Sequence, residues 1–380
     1  MADAGSLIVV ANRLPVRRTR GSGGEWLTSP GGLVSALSPA LREVHGSWIG
    51  WTGVAGAVPK PFDHDGIRNV PVELSAREIE DHYEGLSNSA LWPLYHGCLR
   101  PPEYHRHWWR SHVAVNGRFA QCAAELAPPG ASVWVQDYHL QLVPGMLRAL
   151  RPDLRIGFFL HIPFPPRELF AQLPWRQQVL EGLLGADLVG FQAALGARNF
   201  RALVERFTDG RGERGVINFR GREVRYGHFP ISIDFEAFDT QAHTDAARQR
   251  SAEIHDQIGD GRRILLGVDR LDYTKGIDIR IRAFRELLAS GAIDPHECIL
   301  VQQAVPSREH VGAYQELKAE VERQVGEING EFATLGAPVV HYLHKSLPQD
   351  ELVPLYMAAD AMLVTPLRDG MNLVAKEYVA

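Results

Sequence analysis

Residues 264–289 read ILLGVDRLDYTKGIDIRIRAFRELLA. The short apolar run at 264–268 reads as a buried strand and 277–289 as a helix, so the stretch is one strand–loop–helix unit. The loop between them carries Arg270 and Lys275, with Gly276 near the helix start. Two fixed cations beside free helix N–H groups suit a departing diphosphate. A solvated surface pair is the other reading; the position at a strand's carboxyl end favours the ligand, because that is where open α/β sheets bind theirs.

Working outward, the same unit recurs. Strands are expected at 7–10, 70–74, 132–135, 156–160, 188–190 and 229–233, and again at 264–268, 298–302, 339–343 and 361–364. Helices are expected at 142–150, 175–184, 277–289 and 308–330, and Ser75-Ala-Arg-Glu78 has the form of a capping box. Val311, Tyr314, Leu317, Val321, Val325 and Ile328 fall three or four apart, which makes them a core face without further function. Repeated βα units predict an α/β protein with two doubly wound, Rossmann-like domains facing across a cleft. The polar stretch 234–250 suggests domains at 1–233 and 234–380. The chain stops at Lys376-Glu377-Tyr378-Val379-Ala380, inside a helix just begun, so the second domain is expected to be truncated.

Length and composition agree. A chain of 380 residues exceeds one ordinary core, and 45% apolar with 22% charged residues is usual for a soluble protein. A formal charge of −5 gives no reason to expect nucleic acid. No apolar run is long enough to cross a bilayer, and the N-terminus lacks the form of a signal peptide. Cys98, Cys122 and Cys298 form no CxxC pair, which points to reduced thiols and a cytoplasmic protein.

Four further segments end a strand in a polar cluster. Pro30-Gly31-Gly32 precedes an apolar helix, where bare amides suit a phosphate, although Gly-Gly is also an ordinary turn. It matches neither GxGxxG nor the P-loop, so nicotinamide and ATP lose their main support. In Trp134-Val135-Gln136-Asp137-Tyr138-His139, Asp137 could hold sugar hydroxyls or simply cap the next helix. His161, fixed by Pro163, Pro165 and Pro166, stands at a strand end with no second ligand at metal spacing. Finally, Asp369-Gly370-Met371-Asn372-Leu373-Val374 delivers successive amides at a helix start. One turn on, Glu377 could accept two ribose hydroxyls or be an exposed helix charge.

Taken in order, WIGWTG, LWPLYHG, QDYHLQLVP, GFFLHIPFP, ADLVGFQ, VDRLDYTKG and LVTPLRDGMNLVAKEYVA resemble the trehalose-6-phosphate synthase family, retaining glycosyltransferases of family 20 with the GT-B fold. The resemblance spans nearly the whole chain. It implies glucosyl transfer from a nucleoside-diphosphate-glucose to glucose 6-phosphate, without a metal or other cofactor. Related enzymes with another acceptor, and a silent sugar-phosphate sensor, are the alternatives. The resemblance assigns Arg270 and Lys275 to the donor diphosphate, and Gly31, Gly32, Asp369, Gly370, Met371, Asn372, Leu373, Val374 and Glu377 to the rest of the donor. His161 would touch the transferring glucose. Arg13 and Arg308 would bind the acceptor phosphate, Trp51, Tyr83 and Trp92 would wall the acceptor, and Asp137 would hold its hydroxyls. The donor base and the oligomeric state, a homo-oligomer among the options, stay open.

Overall fold

Short runs of Val, Ile and Leu, buried on both faces, form parallel strands because helices cover the sheet on either side. The computed structural model describes residues 7–18, 25–29, 32–97, 99–259 and 261–380. The chain divides into two compact units, Met1–Ile231 and Ser232–Ala380.

In the first unit the parallel strands are β1 (Leu7–Arg13), β2 (Ser47–Trp51), β3 (Ile67–Val72), β4 (Ser132–Gln136), β5 (Arg155–Leu160), β6 (Leu188–Phe191) and β7 (Arg222–His228). Their spatial order is β3-β2-β1-β4-β5-β6-β7, and short antiparallel strands at both edges complete a ten-stranded sheet. Helices α1 (Gly32–Glu43), α2 (Arg106–Leu126), α3 (Val143–Leu150), α4 (Arg176–Leu183) and α5 (Ala194–Phe207) accompany it. From β1 the chain runs to one side through β2 and β3, then returns to build the other side from β4. The carboxyl ends of β1 and β4, paired through Val10 and Val135, therefore flank a topological switch point.

The second unit repeats this on a smaller scale. Strands β8 (Arg263–Arg270), β9 (Cys298–Val305), β10 (Val340–Leu343) and β11 (Ala361–Met362) lie in the order β10-β9-β8-β11, all parallel. Helices α6 (Ile277–Ala289), α7 (Gly312–Phe332), α8 (Gln349–Ala358) and α9 (Leu373–Val379) connect or follow them. Ile264, Leu266, Ile299 and Val301 are fully buried and pack with Leu355 and Tyr356 of α8. Here the order reverses between β8 and β11, so the second switch point lies at the ends of those two strands.

Several expected bounds need correction. No strand forms at 229–233: β7 ends at His228, because Pro230 has no N–H to continue a ladder. The helix expected from 308 begins at Gly312, since Arg308 has a left-handed backbone (φ 48°) that no helix accommodates. The strand expected at 361–364 covers only Ala361–Met362. The polar stretch after 234 is helical, Phe235–Ala242 and Asp245–Ile254, with Asp234 and Thr244 as side-chain N-caps. The capping box forms as expected: Glu78 N–H donates to Ser75 Oγ at 3.2 Å and Ser75 N–H to Glu78 Oε2 at 2.9 Å.

Beneath the first unit's sheet, His82 and His112 meet Nδ1 to Nδ1 at 2.9 Å, wholly buried, and neither Nε2 has a hydrogen-bond partner. Burial pushes His82 down to about 3 and His112 well below its ordinary value. Below pH ~6.5 the unfolded chain binds protons that the folded chain refuses, so stability falls as the pH falls, by up to about 1.4 kcal/mol per pH unit for each histidine. Urea midpoints should therefore drop between pH 7 and pH 5, and replacing both histidines by Gln should flatten that slope. An unchanged slope in the double variant would assign the acid sensitivity elsewhere.

Candidate functional site

At the second switch point, β8 ends in Arg270, whose side chain is exposed. The loop continues through a tight turn, Tyr273–Lys275, closed by Gly276 at φ 64°. Asp272 makes that turn: its Oδ1 accepts from Thr274 N–H at 3.0 Å and from Thr274 Oγ1 at 2.9 Å. The segment after β11 docks on the same turn, with Leu367 N–H donating to Thr274 O at 2.8 Å. Lys275 Nζ forms an ion pair with Asp369 Oδ2, both largely shielded from solvent. Asp369 Oδ1 also accepts from Gly370 N–H at 3.0 Å, and Asn372 caps α9 by accepting from Ala375 N–H at 2.9 Å. The loop of cations and the turn of amides, read separately in the sequence, thus share one strand-end surface. Glu377, expected on a ribose, accepts from Tyr356 Oη at 2.8 Å, and burial raises its carboxyl against that hydrogen bond.

Arg308 lies on this unit too. Its Nη1 donates to Asp272 Oδ2 at 2.9 Å and meets the Tyr314 hydroxyl, which itself donates to Asp272 Oδ2 at 3.0 Å. Asp272 is fully buried, so one carboxylate shapes the Lys275 turn and fixes Arg308. The sequence reading passed over it. An Asp two residues before Thr in a turn is the signal that could have found it.

At the first switch point, register places Arg13 opposite Trp51. The guanidinium lies 4.2 Å from the Trp51 ring centroid and 5.3 Å from that of Tyr83, a cation–π seat. Gly53 makes room for it: a Cβ there would stand 2.0 Å from Arg13 Nη1. Trp92 is buried, with ring contacts to His96 and Tyr138; Tyr138 in turn meets His139, which stacks on Tyr83.

Asp137, the first residue after β4, has φ 68° and ψ 171°, a backbone region nearly confined to glycine. It makes no side-chain cap, so that alternative reading is not realised; its Oδ1 accepts from His161 N–H at 3.3 Å. His161 Nε2 donates to Gln136 Oε1 at 2.9 Å, and Gln192 Nε2 faces its Nδ1 at 3.4 Å. Gln192 Oε1 accepts from Ile231 N–H, which fixes its amide and, through it, the imidazole tautomer. Burial lowers His161 below its ordinary value, so the ring is held neutral. Gln136 and Gln192 were not singled out in the sequence; two glutamines bracketing a strand-end histidine are visible only in the fold. Gly32 opens α1, and Gly31 lies outside the described residues.

Residues 5–380 match the family model for glycosyltransferase family 20. The chain belongs to that family. It is 57% identical over 390 aligned residues to the trehalose-6-phosphate synthase of Mycolicibacterium gilvum, covering 98% of this chain and 78% of the relative. Among solved structures, a UDP-forming alpha,alpha-trehalose-phosphate synthase from Burkholderia xenovorans in complex with glucose-6-phosphate matches at a TM-score of 0.89 and 34% identity, over 99% of this chain and 82% of that one. An E. coli trehalose-6-phosphate protein bound with UDP-2-fluoro glucose matches at 0.87 and 32%, over 99% and 81%. The fold class is therefore GT-B, as the sequence predicted. No helix among the described residues is long and apolar enough to cross a membrane, and no group of three metal-ligating side chains occurs among them.

The Gly53 contact is directly testable. Gly53 and Gly56 both have left-handed backbones, at φ 98° and 89°, but a Cβ at Gly56 meets nothing within 4 Å. Gly53→Ala should cost more stability in urea unfolding than Gly56→Ala, whose penalty is the backbone strain of about 1–2 kcal/mol. Adding Arg13→Ala to Gly53→Ala should remove the excess; equal costs for the two glycines would mean Arg13 does not need the space.

Proposed function

We propose that this chain is a retaining glucosyltransferase that moves glucose from a nucleoside-diphosphate-glucose to glucose 6-phosphate, giving trehalose 6-phosphate and free nucleoside diphosphate. The match to family 20 along nearly the whole chain carries this reading, supported by relatives whose solved complexes hold glucose-6-phosphate and a UDP-sugar analogue. UDP-glucose is the donor to test first, since the Burkholderia relatives are described as UDP-forming.

In this mechanism the bond from C1 of the donor glucose to phosphate breaks, and its electron pair leaves with the diphosphate. Arg270 and Lys275, with the backbone amides of 370–374, meet the growing negative charge; donors fixed in advance do this without reorganising. Asp369 presents the Lys275 ammonium, and Glu377 takes the ribose hydroxyls. The acceptor's anomeric oxygen bonds to C1 on the face the phosphate leaves, and its proton passes to the departing phosphate oxygen. This front-face route accounts for retention without a carboxylate nucleophile, so the two-carboxylate scheme of glycosidases is not needed. Arg13 takes the acceptor phosphate, and Trp51, Tyr83 and Trp92 wall the sugar. Asp137 holds acceptor hydroxyls, and the neutral His161 contacts the transferring glucose. The transfer uses no metal or other cofactor, and the enzyme acts in the cytoplasm.

Arg270→Ala combined with Lys275→Ala tests the electrostatic core of this mechanism. Each lost contact should remove about 2–4 kcal/mol of transition-state stabilisation, so kcat/KM should fall by on the order of a thousandfold or more. Turnover close to the parent's would reject it.

A further inference from the structure

Arg280 breaks two ordinary rules at once. It sits in the first turns of α6, where the helix dipole disfavours a cation, and its side chain is 2% exposed. Its partners come from the end of β8, the middle of β9 and the segment after β11. Nη1 donates to Asp269 Oδ2 near the end of β8 and to Gln302 Oε1 of β9, both at 2.8 Å, while Nε donates to Thr365 Oγ1, after β11, at 3.0 Å. Gln302 is itself held, donating to Gly267 O at 3.3 Å and Gln303 O at 3.1 Å. The space is kept open by Gly267, where a Cβ would lie 2.2 Å from Arg280 Nη1 and 2.4 Å from Gln302 Oε1.

Beyond their ends β8 and β9 lead into the segments that carry Arg270 and Arg308, and Thr365 lies on the segment that leads to Asp369. A single guanidinium, rigid and planar, therefore fixes their relative positions from below, where an apolar side chain could bond to none of them. We infer that Arg280 is a positioning residue that seats the 365–369 segment, and with it Asp369, against the Arg270–Lys275 loop. The inference rests on the reading of that segment as the donor site, and names the residue that holds it in shape without touching substrate. The cost of a buried, desolvated ion pair has its return in geometry rather than in stability.

The test uses the full chain with Arg280→Met, Arg280→Lys and Thr365→Val, the last cutting one hydrogen bond while keeping side-chain shape. Hydrogen exchange in residues 366–372 should rise about tenfold in Thr365→Val, the factor that corresponds to about 1.4 kcal/mol, and more in Arg280→Met. The amides of β8 and β9 should stay protected in Thr365→Val. The KM for UDP-glucose should rise severalfold and that for glucose 6-phosphate stay within about twofold, on the same free-energy scale. Arg280→Lys should recover part of the loss. Parent-like exchange at 366–372 in Thr365→Val overturns the positioning role whether or not the protein turns over sugar, as does loosening that extends equally through β8 and β9. Loosening confined to 366–372 with an unmoved donor KM supports the positioning and counts against the donor reading instead.

Discussion

Lys275 and Asp369 stand 94 residues apart in the chain and form an ion pair where the strand order of the second unit reverses. Parallel topology sends the loops after β8 and β11 away from a shared line of strand ends, and nothing in a sheet ladder holds such loops together. The ion pair does, with the Leu367-to-Thr274 backbone bond beside it and the Arg280 network beneath. A pair shielded to this degree gives little net stability, because desolvating both charges offsets most of their attraction. Its effect is geometric: it keeps the Lys275 ammonium and the turn at Asp369 on the same surface.

The first unit shows the same economy at its own switch point. Arg13 is held over Trp51 by register and by the space at Gly53, and Asp137 accepts an unfavourable backbone to aim its carboxylate at the strand end. Next to it, His161 is confined between two glutamines in a neutral state. The strained backbone of Asp137 and the buried Asp269 and Asp272 lie where strands end, while the centres of β1 and β8 are largely aliphatic packing. Such a division fits a sheet that supplies rigidity and loops that supply chemistry.

Much of this was legible in the amino-acid sequence. Apolar runs separated by helical segments announce parallel strands, and Arg270, Lys275, Asp369, Asp137 and His161 all follow such runs, so their placement at strand ends was readable. What could not be read is pairing across long separations. Nothing near Asp272 shows that it will grip Arg308, and nothing near Arg280 shows that a helix cation will turn inward to reach Thr365. The terminating effect of Pro230 was visible, but outweighed by the apolar residues around it.

The most direct measurement is a crystal structure of this chain with UDP bound. The account predicts a diphosphate within hydrogen-bond distance of the Arg270 guanidinium and the Lys275 ammonium, with its remaining oxygens on the amides at the start of α9. A diphosphate bound elsewhere, with both cations left to solvent, would contradict it.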